Sequence, residues 1–214
     1  MRIVYICHEY PPFPHGGIGT VVAELAKGFA RQGDDVTVVG FYPSASDTIE
    51  DGVRVVRLGV ERNTKPLSWL RLRLALREWI EAEHKNRGVD ILECPDFGGW
   101  LPFPISSVAT VIRLHGPSFF FPMPLQFHKA LFVQWLEKKT LSGHDKWIGV
   151  SHHVLDEMLH CVSRPPRFTA VVHNPVDVEH FKPQNESLSM VNRLLYVGTL
   201  SERKGVLSLA EAAR

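Results

Sequence analysis

The sequence has few cysteines, almost no net charge and no long apolar segment. Its three cysteines, Cys7, Cys94 and Cys161, are far apart and form no C-x-x-C pair, which is typical of ordinary thiols in a reducing compartment. Lys and Arg total 24 against 23 Asp and Glu, so a formal charge of +1 predicts no general attraction to nucleic acid. No run of about 18 apolar residues predicts a membrane span, and the N-terminus is too short in apolar residues for a signal peptide. We therefore expect a cytoplasmic protein.

Short β-branched runs alternate with longer amphipathic stretches along the chain. This alternation predicts an α/β fold, a Rossmann-like parallel sheet with helices on both faces. The Ser151 hydroxyl is placed to cap a fourth helix. We expect strands near 3–7, 36–41, 53–58, 89–93, 110–114, 147–150 and 169–172, with the first three helices near 19–32, 67–85 and 125–141.

The end of the chain changes in character. Residues 182–191 are polar without an apolar period, as in an interdomain linker. A new apolar strand at 193–197 and a helix from about Val206 follow, and so short a piece cannot bury its apolar faces alone. We therefore predict a domain at 1–181, a linker at 182–191 and, at 192–214, the first β-α unit of a truncated second Rossmann-like domain.

A glycine-rich loop connects the first strand to the first helix. It ends in Gly16-Gly17-Ile18-Gly19 at the helix start, where free amides and the absence of a Cβ suit a phosphate. The alternative is that these glycines only form a turn. Binding of a nicotinamide dinucleotide is disfavoured, because Val22 stands where a third glycine is required and no acidic residue follows the second strand.

Three further side chains follow predicted strands, where ligands of open parallel sheets bind. His115 precedes Gly116-Pro117 and could hydrogen-bond a sugar hydroxyl, or it could close a turn. Glu93 and Asp96 precede two glycines and two aromatic residues, the residue types that hold sugars, although solvated loop carboxylates are nearly as common. Whether the two carboxylates could instead perform hydrolysis depends on a separation that the sequence does not show.

Two other surfaces offer candidate binding sites. His153, Asp156 and His160 share a helix face, but no metal motif accompanies them and a polar face is the better interpretation, so no metal site is predicted. The apolar stretch 118–127 and the arginines at 71, 73 and 77 could contact a membrane carrying a lipid-linked acceptor. Burial as a lid or helix interface is favoured, because Arg71 lies nearly opposite the other two arginines on the helix.

Taken in order, these motifs resemble glycosyltransferase family 4. The resemblance covers nearly the whole chain and is most specific in its last two motifs, where Pro175 replaces a usual glycine. The motifs are ECPDFGGW at 93–100, RLHG at 113–116, GVSHHVLDEM at 149–158, VVHNPVDVEHF at 171–181 and YVGTLSERKG at 196–205.

The resemblance implies a GT-B fold of two facing Rossmann-like domains and retaining transfer of a sugar from a nucleotide-diphosphate sugar to a hydroxyl acceptor. It implies neither an obligatory metal nor another cofactor. Gly16 and Gly17 would lie near the donor diphosphate, and His115 would contact the transferred sugar. Lys204, with Arg203, would neutralise the leaving group. Glu93, Asp96 and Asn174 would bind sugar or acceptor.

Two departures from the family pattern affect these expectations. Thr199 stands where the family often has arginine, and the paired glutamates that hold the donor belong to sequence beyond residue 214. We therefore expect this chain to be inactive without a C-terminal domain. A non-catalytic sugar- or nucleotide-binding module, or half of a split enzyme, is the alternative, although the Lys204-Gly205 unit after a linker favours the enzyme.

Overall fold

The structure, a computed structural model, describes residues 1–59, 67–120, 127–182, 194–198 and 200–213, apart from the side chains at 127–130 and 203. It divides into two compact units, Met1–Asp177 and Val178–Arg214. The first unit contains a sheet of eight strands and four of the α-helices. The second contains a short 3-10 turn at Glu202–Lys204 and helix α5, Val206–Ala212, which begins where the sequence predicted.

The sheet of the first unit is parallel except at one edge. Its strands lie in the order β3-β4-β2-β1-β5-β6-β7-β8, and only β3 and β4 pair antiparallel. The register aligns Ile3 of β1 with Val36 of β2 on one side and with Ile91 of β5 on the other. The strands are β1 Arg2–Ile6, β2 Asp35–Tyr42, β3 Ser46–Glu50, β4 Val53–Gly59, β5 Ile91–Pro95, β6 Thr110–Leu114, β7 Lys146–Gly149 and β8 Phe168–Val171.

Successive strand residues point to opposite faces of the sheet, and both sets are apolar, so helices cover both faces. One buried cluster joins Val4 and Ile6 to apolar residues of α2, α3 and α4, and the other joins Ile3 and Tyr5 to α1. The helices are α1 Gly17–Arg31, α2 Ser68–Arg87, α3 Phe127–Gly143 and α4 His152–His160. The predicted Rossmann-like sheet covered on both faces is confirmed.

Local signals account for two of the element boundaries. The Ser151 side chain accepts a hydrogen bond from the Val154 amide at 3.2 Å, as expected of a helix cap. Strand β3 was not predicted, because SDTIE is polar and lies mostly exposed at the sheet edge. Its signal is Asp51-Gly52, whose positive φ angles of 51° and 81° form the turn of a β-hairpin.

The strand expected at 193–197 is the prediction that was wrong. Residues 194–197 form no regular element among those the structure describes, since a single strand without a partner leaves its backbone unpaired. Most of the predicted linker, from residue 183 onward, lies outside the described residues. Within the described residues, no helix has both the length and the apolar character that crossing a bilayer requires.

Candidate functional site

The carboxyl ends of β1, β5 and β6 bring three loops to the same edge of the sheet. β5 lies between β1 and β6, so the glycine-rich loop after β1 and His115 after β6 flank the segment that begins at Asp96. Ligands of open parallel sheets bind at this edge. The candidate site is therefore formed by loops that carry several of the site residues predicted from the sequence.

A pocket of about 270 Å³ lies between the loops that follow β1 and β5. We call it the β1–β5 pocket. Aromatic and apolar groups form most of its wall, and His115 lies outside it. The pocket is lined by Cys7, His8, Glu9, Pro14, Ile18, Pro95, Phe97, Gly98 and Trp100.

The glycine-rich loop ends against the start of α1, which begins at Gly17 with Gly16 as its N-cap. The Gly19 amide donates to Glu9 Oε1 at 2.9 Å, and a Cβ on Gly19 would lie 2.0 Å from the Glu9 carbonyl oxygen. Gly19 is therefore required by close packing. In the part of the chain that the structure describes, the Gly17 and Ile18 amides have no acceptor, so the exposed helix start keeps two free donors.

Glu9 changes the electrostatics of this helix start. Its Oε1 would lie 3.3 Å from a Cβ placed on Gly16, so a carboxylate already faces the positive end of α1. A diphosphate bound at Gly16 and Gly17 would share this region with a negative charge. Such a ligand would need cations from another part of the protein, an expectation that the glycine motif by itself did not suggest.

His8 is a site residue that the sequence reasoning missed. Its ring stacks on Phe41 at 5.4 Å and lies 3.6 Å from the Trp100 ring centroid. Its Nδ1 accepts the Phe41 amide at 3.0 Å, so the neutral ring carries its proton on Nε2. The position directly after β1, at the ligand-binding edge, was a signal that could have identified it.

Asp96 holds the loop that carries His115. This fully buried carboxylate accepts the amides of His115 at 3.0 Å and Gly116 at 3.1 Å through separate oxygens. Burial raises the pKa of Asp96 to about 7, although the amide hydrogen bonds oppose that shift. Both oxygens are thus engaged by the main chain, and direct binding of sugar by Asp96 stays a prediction.

The His115 imidazole is neutral at pH 7. Burial, with a smaller effect from the Arg113 charge, lowers the pKa of His115 to about 4. Within the described residues no side chain or carbonyl bonds to its ring nitrogens. A neutral imidazole held by its own main chain can donate one hydrogen bond and accept another.

Glu93 forms a buried ion pair with Arg113, which lies on the neighbouring strand β6. The two hydrogen bonds measure 2.6 and 3.0 Å, and Arg113 also reaches the Val172 carbonyl at 3.4 Å. The bidentate contact occupies both carboxylate oxygens of Glu93. This pair links β5, β6 and the end of β8, while the predicted sugar-binding role of Glu93 stays untested.

Two buried charged residues from the helices hold the loop after β5, and the sequence reasoning did not predict either role. Arg73 of α2 donates to the carbonyls of Gly99 at 2.7 Å and Gly98 at 2.6 Å, and its guanidinium lies 4.8 Å from the Trp100 ring. Burial lowers the pKa of Arg73 to about 10. Arg73 is therefore buried, while residues 121–126 of the apolar stretch, for which burial was also expected, lie outside the described residues.

Glu137 of α3 supports the same loop from the other side. Its fully buried carboxylate accepts the Gly98 amide at 2.9 Å and the Ser118 amide at 3.0 Å, and the Ser118 hydroxyl donates to it at 2.7 Å. Burial raises the pKa of Glu137, and these three hydrogen bonds oppose the rise. In the sequence Glu137 resembles an ordinary charge on a helix, so only tertiary contacts identify it.

The remaining predicted site residues lie in the segment after β8, in the second unit or outside the described residues. Asn174 is exposed in the segment after β8, and Lys204 is exposed in the second unit. The Arg203 side chain and Thr199 lie outside the described residues. Among the described residues, no group of three potential metal ligands is close enough to hold an ion.

Comparison with known proteins adds a family and a fold. The model of Glycosyltransferase Family 4 matches residues 15–180. Glycogen synthase of Mycobacterium tuberculosis is 39% identical over 64 residues, 26% of this chain and 16% of that enzyme. The sucrose-phosphate synthase structure from Thermosynechococcus elongatus aligns with a TM-score of 0.67 and 18% identity, over 99% of this chain and 59% of that one. The chain thus spans only part of the length of both relatives.

Proposed function

Because the chain belongs to glycosyltransferase family 4 and has the Rossmann-like architecture of its GT-B members, we propose that it transfers a sugar from a nucleotide-diphosphate sugar to a hydroxyl acceptor, with retention of anomeric configuration. The observation that carries the proposal is the ligand-binding edge of the sheet. There the open start of α1, the β1–β5 pocket and the His115 loop adjoin one another. These features offer an anion site, a group for contacting a sugar and a space for an acceptor.

The donor diphosphate is proposed to bind at Gly16 and Gly17. The free amides of Gly17 and Ile18 suit a phosphate oxygen, whereas the nearby Glu9 carboxylate weakens the attraction. Negative charge develops on the leaving diphosphate and has to be stabilised by cations. We propose Lys204 with Arg203 for this role. No metal or other cofactor is included in the proposal.

His115 is proposed to hydrogen-bond the transferred sugar. The pKa of about 4 keeps the imidazole neutral, so it orients a hydroxyl rather than supplying a proton or a positive charge. Asp96 fixes the His115 main chain and acts as a positioning residue. The second domain would supply Lys204 and most of the donor contacts, and the 214-residue chain alone is expected not to turn over.

The acceptor is proposed to be selected by the first unit. Polysaccharide, lipid-linked and small-molecule hydroxyls are all compatible with a family 4 enzyme, and a lipid-linked acceptor would require contact with a membrane surface. A cytoplasmic location agrees with the two buried cysteines Cys7 and Cys94. Asn174, in the exposed segment after β8, is retained as a proposed sugar or acceptor contact.

The proposal is tested with the full-length protein, a panel of nucleotide-diphosphate sugars and detection of the released nucleotide. We expect Lys204→Ala to lower kcat/KM by about 100-fold or more, as removal of a charge-stabilising group does elsewhere. Lys182→Ala is the matched control, since this exposed lysine pairs, among the described residues, with Glu179 at 3.5 Å. Unchanged turnover in Lys204→Ala would remove that residue from the mechanism.

The anomeric configuration of the product tests retention separately. Proton NMR of the first product formed should show the configuration of the donor, and the opposite configuration would refute retention. Binding of a nucleotide sugar without any turnover would instead favour the alternative, a binding module or half of a split enzyme.

A further inference from the structure

Among the described residues that line the β1–β5 pocket, there is no lysine or arginine. Among its lining residues within the described part of the chain, Glu9 alone is charged. Arg73 contacts the loop after β5, but it is buried and donates to the Gly98 and Gly99 carbonyls. A phosphorylated ligand in this pocket would therefore meet one negative charge and, among the described lining residues, no lysine or arginine to pair with.

We propose that the β1–β5 pocket binds the acceptor as a single uncharged sugar ring and discriminates against phosphorylated sugars. This inference rests on the proposed sugar transfer and adds to it the chemical class of the acceptor. The volume of the β1–β5 pocket, about 270 Å³, is close to the lower end of the range for pockets that hold small organic ligands, about 300 Å³. One ring is therefore the expected occupant at this position, with any further residues of the acceptor extending outside.

The pocket wall offers the apolar contact that a sugar ring requires. Phe97 is 44% exposed and lines the pocket, so its ring face is open to the C–H groups of a pyranose. Trp100 contacts the guanidinium of Arg73, 4.8 Å from its ring, and the imidazole of His8. A fixed Trp100 gives the pocket a rigid wall, and Phe97 is the ring that a ligand can cover.

The polar groups of the pocket suit hydroxyls. Glu9 Oε1 is engaged by the Gly19 amide at 2.9 Å, and Oε2 has no donor among the described residues. An ionised carboxylate oxygen accepts hydrogen bonds only, and a sugar hydroxyl can donate to it whereas a phosphate dianion cannot. Glu9 thus lines the pocket and also faces the helix start at Gly16 and Gly17, where the donor diphosphate is proposed.

The test uses the 214-residue protein and ligand-observed NMR. The probes are the methyl glycosides of glucose, mannose and galactose, each compared with its own 6-phosphate at low ionic strength. At least one neutral glycoside should bind, and its 6-phosphate should bind at least tenfold more weakly, because like charges repel most strongly at low salt. Equal or tighter binding of the 6-phosphate, or no binding of any neutral glycoside, would overturn the proposal.

Two variants test whether Glu9 causes the discrimination and whether Phe97 contributes to binding. Glu9→Gln keeps an oxygen for the Gly19 amide and removes the charge, so it should reduce the discrimination to about threefold or less. Phe97→Ala should weaken the neutral glycoside about three- to tenfold, in keeping with the loss of one aromatic contact. Glu157→Gln and Phe103→Ala are matched exposed controls outside the pocket and should leave binding unchanged.

The outcome separates this inference from the proposed function. If the full-length protein transfers sugar but uses a phosphorylated acceptor, the acceptor class is wrong and the transferase stands. If the pocket prefers neutral glycosides but no nucleotide sugar supports transfer, the binding site stands and the proposed reaction fails.

Discussion

Replacing Asp96 by asparagine should change how the stability of the first unit depends on pH. Asp96 is fully buried, and its two oxygens accept the amides of His115 and Gly116. Asparagine has nearly the same shape, but it presents one oxygen and one NH₂ group to those two amide donors. The mismatch should cost about 1–3 kcal/mol at any pH, and the pH-dependent part is separate from that offset.

The magnitude follows from the pKa of Asp96, which folding raises from 3.8 to about 7. A raised pKa means that the folded state holds its proton more tightly, so this contribution to stability is fully present below pH 3.8 and is lost as the pH rises through 7. Between pH 5 and pH 8 the loss amounts to about 3 kcal/mol. Asp96→Asn has no carboxyl group to titrate at this position and therefore does not show this loss of stability.

His115 opposes this trend in the wild-type protein. Its pKa falls from 6.5 to about 4 on folding, so its contribution is present above pH 6.5 and is lost as the pH falls through 4. Between pH 8 and pH 5 that loss amounts to about 2 kcal/mol. The two residues therefore nearly cancel, and wild-type protein should reveal little of either effect.

The assay is urea denaturation, followed by tryptophan fluorescence at pH 5, 6, 7 and 8 and constant ionic strength. The free energy of unfolding of Asp96→Asn, minus that of wild type, should rise by about 3 kcal/mol from pH 5 to pH 8. His115→Gln should show a fall of about 2 kcal/mol in the same difference. Asp156→Asn, an exposed carboxylate on α4, is the control. A flat difference for Asp96→Asn would refute the burial argument.

Two further predictions concern packing around the site. Gly19→Ala should lower the free energy of unfolding by about 1–3 kcal/mol, since its Cβ would lie 2.0 Å from the Glu9 carbonyl oxygen. Gly17→Ala is the control measured by thermal denaturation: it has open space around it and should raise the free energy of unfolding or leave it unchanged. Glu137→Gln should lower the free energy of unfolding by about 1–3 kcal/mol, because an NH₂ group would face the amide and hydroxyl of Ser118. Urea denaturation of Glu137→Asp and of the exposed Glu157→Gln shows whether the effect belongs to this buried contact. Equal stability of all three variants would contradict the prediction.

Local sequence patterns predicted the elements because the signals for them are local. Apolar periodicity and β-branched runs placed seven of the strands and all four helices of the first unit to within a few residues. The Ser151 cap was predicted for the same reason, since a cap and its amide are neighbours in sequence. Strand β3 was missed because an exposed edge strand needs no apolar pattern, although Asp51-Gly52 marks its turn.

The sequence by itself determined the fold class, the family and the loops that carry the chemistry, because parallel strands bring their carboxyl ends to one edge. Only the tertiary structure decided which contacts each side chain makes there. Asp96 accepts main-chain amides and Glu93 pairs with Arg113, and the sugar-binding role predicted for both residues stays a prediction. Glu137 looked like a surface charge and is buried against two loops. Partners distant in the chain set these roles, since burial and pairing depend on contacts that no local pattern records.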